Sequence, residues 1–240
     1  MATLRVAGAD GCRAGWLVVS ATLVEGGEGL SDVSVQVVDA LVVPLAEPGL
    51  AVLGVDTPIG LDPVPAEGGR AADRAARRAL ALGAPPGLRG TGARVFSAPS
   101  AAQLEAFRGG ADYAGVNAVH PRGPRLTLQA FHILSKIAEA DRLAASDRRV
   151  VEVHPELSFL HLGGATLPPK RLAFARAQRR ALLDGAGFHV SGMGTALGPA
   201  RGRWQADDLL DACAICWSAA RIARGQARRY PEVGEPAILA

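Results

Sequence analysis

Residues 50–60 read LAVLGVDTPIG, and this stretch decides the fold. The run Leu50–Val55 is apolar throughout, which is typical of a central strand buried on both faces. Asp56 follows it directly, and Pro58 and Gly60 then stop the strand. A carboxylate buried alone is costly, so an acid at this point predicts either a bare strand terminus or a functional site at the edge of an α/β sheet.

Three apolar runs before this strand predict three more strands. Residues 4–10 and 16–23 are separated by a short connection containing two glycines, which indicates a tight hairpin. Residues 33–38 alternate apolar and polar side chains and end at Asp39. The first half of the chain is therefore predicted to supply four strands.

Helices and one further strand are predicted after residue 60. Residues 69–82 form an Arg/Ala-rich helix stopped by a glycine, and residues 84–125, rich in Gly and Pro, form an irregular insertion apart from about 99–107. The remaining elements are predicted as a long amphipathic helix over 127–145, a strand over 150–156 stopped by Pro155, a basic helix over 170–184 and a closing helix over 206–225.

This order predicts an RNase H-like α/β fold, namely a mixed five-stranded sheet flanked by helices. Residues 1–240 are expected to form one such domain, with an irregular and helical insertion at about 61–126 after the fourth strand. A generic α/β sandwich shares parts of the order.

The composition limits the class of protein. With 49% hydrophobic and 20% charged residues, the chain is not a largely disordered one. No apolar run approaches the roughly 20 residues that span a bilayer, and no signal peptide opens the chain, so a cytoplasmic location without membrane partners is expected. The three cysteines, Cys12, Cys213 and Cys216, form no disulfide framework, and the last two are expected to pack inside an apolar helix.

Five acidic residues fall at the ends of separate elements. Asp10 ends the first strand, Asp56 ends the fourth, Glu152 lies in the fifth, and Asp208 and Asp211 are one turn apart on the closing helix. Carboxylates brought close together repel one another unless a cation compensates them. Oxygen ligands favour Mg²⁺ or Mn²⁺, so the pattern predicts a divalent-metal site.

Each of these residues also has a simpler interpretation. Asp10 with its following glycine is a common turn, and an acid at the start of the closing helix is a common N-cap. Strand alternation places Glu152, His154 and Glu156 on one face, which a solvated strand end explains as well. His154 could move a proton or contact a phosphate, or it could simply pack and hydrogen-bond.

The sequence resembles the "domain of unknown function 429" family, a group predicted to be RNase H-like nucleases, over nearly its whole length. The resemblance departs from the family pattern at Ala14 and within residues 170–175. It rests on Gly8–Cys12 with Gly15 and Trp16, Gly54–Gly60, Arg70, Asp73 and Arg77 before Leu82 and Gly83, Val95 and Phe96, Pro99, Glu152–Glu156 and Asp207–Ala212.

The closing helix is also similar to that of RuvC-type Holliday-junction resolvases, in which two aspartates three residues apart precede an Ala-x-Ala-Ile run. That similarity favours Asp208 and Asp211 over Asp207. The resemblance implies phosphodiester hydrolysis with two metal ions, one activating water and the other stabilising the leaving oxygen. It further implies that Asp10 bridges the ions while the other four carboxylates complete their coordination.

Nucleic acid is the candidate partner. Basic residues recur around Arg70 and Arg77 and again from Lys170 through Arg171, Arg176, Arg179 and Arg180, where they could contact substrate phosphates or form solvated helix faces. Arginine outnumbers lysine 24 to 2, so compositional bias contributes to this basicity, and the net charge is only +3. Aromatic residues, at 5%, offer no obvious platform for base stacking, and the oligomeric state is not indicated.

Two other functions fit parts of the sequence. Asp10 and Gly11 before a hairpin resemble the phosphate loop of actin-like phosphotransferases, although no second glycine-rich loop follows residue 150. Alternatively, the chain is a catalytically silent binding or regulatory module that keeps its acids for structural reasons. Measured binding of Mg²⁺ or Mn²⁺ separates the metal-dependent enzyme from the silent module.

Overall fold

The computed structural model describes residues 4–27, 29–200 and 202–240. Its main sheet has the order β3-β2-β1-β4-β5, in which β1, β2 and β3 are antiparallel neighbours while β4 and β5 run parallel to β1. This mixed sheet is the RNase H-like arrangement predicted from the sequence. The strands are β1 (Arg5–Cys12), β2 (Gly15–Leu23), β3 (Leu30–Val38), β4 (Leu50–Val55) and β5 (Val150–Glu152).

Helices cover both faces of the sheet and fill the connections. Within the described residues they are α1 (Val42–Leu45), α2 (Ala71–Leu82), α3 (Ala101–Arg108), α4 (Tyr113–Ala118), α5 (Leu128–His132), α6 (Leu134–Ala144), α7 (Pro155–Gly163), α8 (Ala173–Gly185), α9 (Val190–Leu197) and α10 (Ala206–Ala223), with a 3-10 turn at Thr91–Arg94. None of these helices is long and apolar enough to cross a bilayer.

The predicted hairpin and central strand are confirmed. Cys12 pairs with Gly15, so two residues make the turn, and Gly15 adopts a φ of +122° that a residue with a side chain rarely takes. β4 lies between β1 and β5, and its residues are largely buried, as its continuous apolar run requires.

The two faces of β1 pack against different helices because successive side chains point to opposite sides. Val6 belongs to an apolar cluster with α10, α8 and α9, whereas Ala7 and Ala9 join Ala140 and Leu143 of α6 on the other side. The side chains of even-numbered residues in β1 therefore face α10, and this assignment decides which carboxylates can meet.

The long helix predicted over 127–145 is in fact two helices. Ile133 has φ −105° and ψ 7°, outside the helical range, and separates α5 from α6. The buried residues Ala130 of α5 and Leu134 and Ile137 of α6 keep the four- and three-residue spacing of one helical face across the break. Because apolar residues continue on both sides, periodicity alone could not reveal the break.

The fifth strand is shorter than predicted. It ends at Glu152, and the apolar residues after Pro155 belong to α7, which was predicted as neither strand nor helix beyond residue 156. Proline suits the first turn of a helix because it donates no hydrogen bond there, and the His154 side chain caps the helix by accepting from the Glu156 N–H. Glu156 therefore lies on a helix and not on the strand face shared by Glu152.

The insertion and the C-terminal segment contain more regular structure than predicted. α3 begins with a capping box between Ser100 and Gln103, and α4 follows it. Two short strands that were not predicted, Arg229–Tyr230 and Ile238–Leu239, pair with each other near the end of β5.

The cysteines pack as expected. All three are free and buried. Burial raises the pKa of the Cys213 thiol and raises that of Cys216 to about 12, so neither is a ready thiolate near neutral pH.

Candidate active site

Two aspartates lie side by side at the carboxyl ends of the central parallel strands. Ala9 of β1 is in register with Val55 of β4, and the Asp56 N–H donates to the Ala9 carbonyl at 3.2 Å. Asp10 and Asp56 are each one residue further along, so their side chains fall in the next row of the sheet and on the same face. That face is the one covered by α10.

Glycines allow α10 to lie close against this row. A Cβ at Gly8 would stand 2.2 Å from the Cys216 backbone nitrogen, and one at Gly54 would stand 2.7 Å from the Ile215 side chain. The helix backbone therefore contacts the strands directly. Asp211, one turn before Ile215 and only 4% exposed, is thereby held beside the two strand ends.

The three carboxylates interact strongly with one another. Burial is the largest cause of the raised pKa of Asp10, followed by the negative charges of Asp211 and Asp56. Burial also raises the pKa of Asp56 to about 7 and that of Asp211 to about 6. Three acids from three separate elements thus share one poorly solvated region, which disfavours their simultaneous ionisation.

Lys170 supplies a positive charge to this group. Its Nζ donates to Asp211 Oδ2 at 2.6 Å, and its charge lowers the pKa of both Asp56 and Asp211 against the effect of burial. Burial lowers the pKa of Lys170 itself, but the three aspartates outweigh that effect and raise it overall. Lys170, which was predicted as a substrate contact, forms an ion pair with Asp211 in this structure.

Asp208 lies at the rim of the group. Its Oδ2 accepts the Gln205 N–H at 2.7 Å in a capping box at the start of α10, which is the simpler role considered for it. Its charge nevertheless contributes to the raised pKa of Asp10. Asp208 and Asp211 share a helix face as predicted, but Asp211 is the more buried and the one paired with Lys170.

Glu152 is not brought to the aspartates. It is in register with Val55, one row before Asp56, so its side chain points to the opposite face of the sheet. There both carboxylate oxygens are held by Arg70, at 2.7 and 2.8 Å, and the Ile59 N–H donates to it at 2.8 Å. This pairing leaves Glu152 poorly suited to the metal-ligand role predicted for it.

The two arginines predicted to contact substrate are used within the fold. Arg70 is 2% exposed, and besides Glu152 it binds Asp73 at 2.7 Å. Arg77 donates to the Val95 carbonyl at 2.9 Å and to the Ser97 hydroxyl at 3.0 Å. Arg70 ties the start of α2 to Ile59 and Glu152, and Arg77 ties α2 to the insertion, so both guanidinium groups are engaged within the fold.

Glu156 and His154 lie beside the aspartates. The Glu156 carboxylate is bound by Arg179 at 2.6 Å and by Arg94, and its charge raises the pKa of Asp56 and of Asp211. His154 Nδ1 accepts the Glu156 N–H at 3.2 Å, so the neutral ring carries its proton on Nε2. Burial lowers the pKa of His154 and favours this neutral form.

These side chains line a pocket of about 380 Å³, which we call the acidic pocket. The pocket is open to solvent, and its polar lining includes both acidic and basic side chains. Asp10 is buried next to the pocket, beside Asp56. The lining residues with ionisable side chains are Asp56, Arg94, His154, Glu156, Lys170, Arg171 and Asp211.

The donor chemistry of the pocket suits a hard divalent cation. Asp10, Asp56 and Asp211 offer carboxylate oxygens, and their mutual repulsion would be relieved by positive charge. As the side chains stand in residues 4–27, 29–200 and 202–240, no three His, Cys, Asp or Glu residues surround one point closely enough to hold an ion. In this arrangement the Lys170 ammonium supplies the positive charge beside Asp211.

Sequence reasoning did not identify the residues that hold Glu156. Arg94 was not singled out, and Arg179 was considered only as part of a basic stretch. A signal for Arg179 was present, because it stands between Ala175 and Leu183 on the buried stripe of α8. An arginine at such a position requires a buried acidic partner.

A family model described as "Protein of unknown function (DUF429)" matches residues 8–235. Searches of curated proteins and of solved structures find no match. The match spans both strand-end aspartates, the insertion and the closing helix.

Proposed function

The chain belongs to this family of proteins of unknown function (DUF429), and from that premise we propose that it is a divalent-metal-dependent nuclease that hydrolyses phosphodiester bonds. One observation carries the proposal. Asp10, Asp56 and Asp211, from β1, β4 and α10, meet at the carboxyl edge of the central strands with raised pKa values. Ligand sites of α/β sheets lie at this edge.

Asp10, Asp56 and Asp211 are the proposed metal ligands, with Asp208 at the rim of the site. Mg²⁺ or Mn²⁺ held there would supply positive charge to a phosphodiester and favour ionisation of water. Raised carboxylate pKa values are consistent with a cation site, because a bound cation would offset the repulsion and burial that disfavour the ionised carboxylates.

The basic residues of the acidic pocket have a complementary role in this proposal. Lys170 is about half exposed, lies on the loop before α8 and can turn from Asp211 toward a phosphate oxygen. Arg171 lines the same pocket. His154, neutral with its proton on Nε2, is placed to donate a hydrogen bond or move a proton at the pocket wall.

The proposal is tested with a panel of single-stranded, duplex, hybrid and branched nucleic acids incubated with Mn²⁺. Wild-type protein is compared with Asp10→Asn and with Asp39→Asn, a matched change at an exposed aspartate after the outermost strand. Mn²⁺ binding is measured in parallel by calorimetry. We expect cleavage by the wild type and the Asp39 variant and a loss of at least 100-fold in Asp10→Asn.

Two results would contradict the proposal. Equal cleavage by all three proteins would show that a contaminating nuclease is responsible. Absence of Mn²⁺ binding at millimolar concentration would remove the metal-dependent mechanism and leave a binding module as the better explanation. Thermal unfolding of each variant establishes that the substitutions leave the fold intact.

A further inference from the structure

A second cavity lies along α8, outside the acidic pocket. It has a volume of about 730 Å³ and runs between α8 and α9, with Leu209 and Leu210 of α10 at its floor. We call it the α8 groove. Nothing in the proposed chemistry uses it.

Small side chains keep the α8 groove open. Ala173, Ala177 and Ala181 recur at four-residue spacing along α8, so they share one face of that helix, and all three are exposed. On the opposite side α9 contributes Gly194 and Thr195. The result is a wall of small apolar side chains along about two turns of helix.

Positive charge lines the same wall. Arg176 and Arg180 are one turn apart and exposed, in contrast to Arg179 between them, which is fully buried against Glu156. The acidic side chain that lines the groove, Asp184, accepts the Val190 N–H at 2.8 Å. The groove is therefore lined by two guanidinium groups and one carboxylate, of which Arg176 donates to the Lys170 carbonyl and Asp184 accepts from Val190.

An aromatic ring completes the groove. Trp204, just before α10, packs against the apolar core, is half-buried and lines the cavity with its remaining surface. The low aromatic content of the sequence predicted no obvious stacking platform, whereas in the folded protein Trp204 lines the same cavity as Arg176 and Arg180. Base faces stack on such rings with little dependence on sequence.

One end of the α8 groove adjoins the acidic pocket, since Arg171 and Asp211 line the pocket while Ala173 and Leu210 line the groove. Ala173, which lines the groove, comes three residues after Lys170, and Ala206 comes two residues before Asp208. Arg176 also donates to the Lys170 carbonyl at 3.2 Å. A chain lying in the groove would therefore continue toward the aspartates.

We propose that the α8 groove binds a single-stranded segment of nucleic acid next to the phosphodiester in the acidic pocket. Bases lie against Trp204 and the alanine wall, and phosphates contact Arg176 and Arg180. A duplex hides its base faces and presents phosphates alone, so an apolar wall with an aromatic ring favours an unpaired strand. This inference rests on the proposed function, since it names the substrate class of that site.

Binding is measured without divalent metal, in EDTA, so that affinity is separate from cleavage. Fluorescein-labelled 12-residue DNA and RNA strands are titrated with wild type and with Arg176→Glu/Arg180→Glu. The matched control, Arg78→Glu/Arg148→Glu, makes the same charge change at two exposed arginines that do not line the groove. We expect at least about tenfold weaker binding in the groove variant only, with a salt slope reduced by about 2.

Tryptophan fluorescence tests the stacking contact. Single strands should quench the wild type and Trp217→Phe alike, whereas Trp204→Phe should lose most of the quenching, since Trp204 is the ring in the groove. Thermal unfolding of each variant verifies the fold. A self-complementary duplex of the same length should bind less tightly than the single strand.

Several outcomes would overturn the inference. Equal loss of affinity in both double-arginine variants would indicate a diffuse charge effect. A wild-type dimer that the groove substitutions dissociate would make the groove an interface between copies, and competition by polyglutamate without quenching would indicate an acidic protein partner. Metal-dependent cleavage that is unchanged in the groove variant would refute the groove alone, whereas groove binding without any cleavage would refute the nuclease.

Discussion

Gly8→Ala tests the contact that brings α10 to the sheet. The added Cβ would lie 2.2 Å from the Cys216 nitrogen and 2.5 Å from the Ala212 carbonyl oxygen, whereas ordinary contact begins near 3.4 Å. Both are backbone atoms, so no side chain can turn aside, and the helix must withdraw by about 1 Å. Overpacking typically costs about 1–3 kcal/mol, and we expect about 3 kcal/mol or more here because the rigid helix must move.

Urea unfolding measures this cost against two matched glycine substitutions. At Gly54 the added Cβ would meet the ends of the Ile215 and Val153 side chains, at 2.7 and 3.0 Å, so we expect a loss of about 1–2 kcal/mol. Gly185, in α8, has no atom within 4 Å of such a Cβ, and its replacement by alanine should be neutral or stabilising by up to about 1 kcal/mol.

The same substitution should weaken the site. Withdrawal of α10 moves Asp211 away from Asp10, so Mn²⁺ affinity in Gly8→Ala should fall at least several-fold, while Gly185→Ala keeps the wild-type value. If Gly8→Ala unfolds within about 0.5 kcal/mol of the wild type, the backbone contact is not as close as described and the reasoning fails.

Three further outcomes follow from the ion pairs and the buried acids. Burial raises the pKa of Asp56 to about 7 in the folded state, so the metal-free protein should lose stability as pH rises from about 4 to about 7. In urea unfolding at fixed ionic strength, Asp56→Asn should show a smaller loss of stability over this pH range. Arg179→Met breaks the buried 2.6 Å ion pair to Glu156 and should lower the free energy of unfolding by about 3 kcal/mol. The control Arg180→Met, at an exposed arginine, should lower it by less than about 0.5 kcal/mol, and equal losses would contradict the buried pairing. Lys170→Met removes the ammonium that competes with a divalent ion, so calorimetry should show Mn²⁺ binding about tenfold more tightly than to the wild type, and unchanged affinity would show that Lys170 does not compete.

The pair of strand-end aspartates could be predicted because it depends only on topology. Asp10 and Asp56 each follow an apolar run, and neighbouring parallel strands carry their ends to one edge of the sheet. The i, i+3 spacing of Asp208 and Asp211 likewise fixed their common helix face. These inferences place the acids at one edge without knowledge of register, and the register then decides that Asp10 and Asp56 both face α10.

Glu152 could not be placed in the same way. Its side chain faces away from the aspartates because it pairs with Val55 and not with Asp56, and a difference of one residue in register reverses the face. The predicted strand also continued past Pro155, which begins α7, so Glu156 was wrongly placed on the strand. Register and helix starts depend on long-range pairing, which one sequence does not reveal.

Lys170 illustrates a different limit. The loop that carries it is anchored far from its own position in the sequence, through the Thr166 N–H on the Gly83 carbonyl at 2.8 Å and through Arg179 on the Pro168 carbonyl at 2.9 Å. No local pattern predicts that its ammonium reaches Asp211. Contacts of this kind become visible only once the tertiary fold is known.

The two sides of α8 serve the two cavities. Arg179 on its inner side grips Glu156 at the wall of the acidic pocket, and Arg176 and Arg180 on its outer side line the groove. A packed helix moves as a unit, so an occupant that rotates or displaces α8 would pull on Glu156 and change the field felt by Asp211. One helix therefore carries groove residues on one side and, on the other, the arginine that holds Glu156 of the acidic pocket.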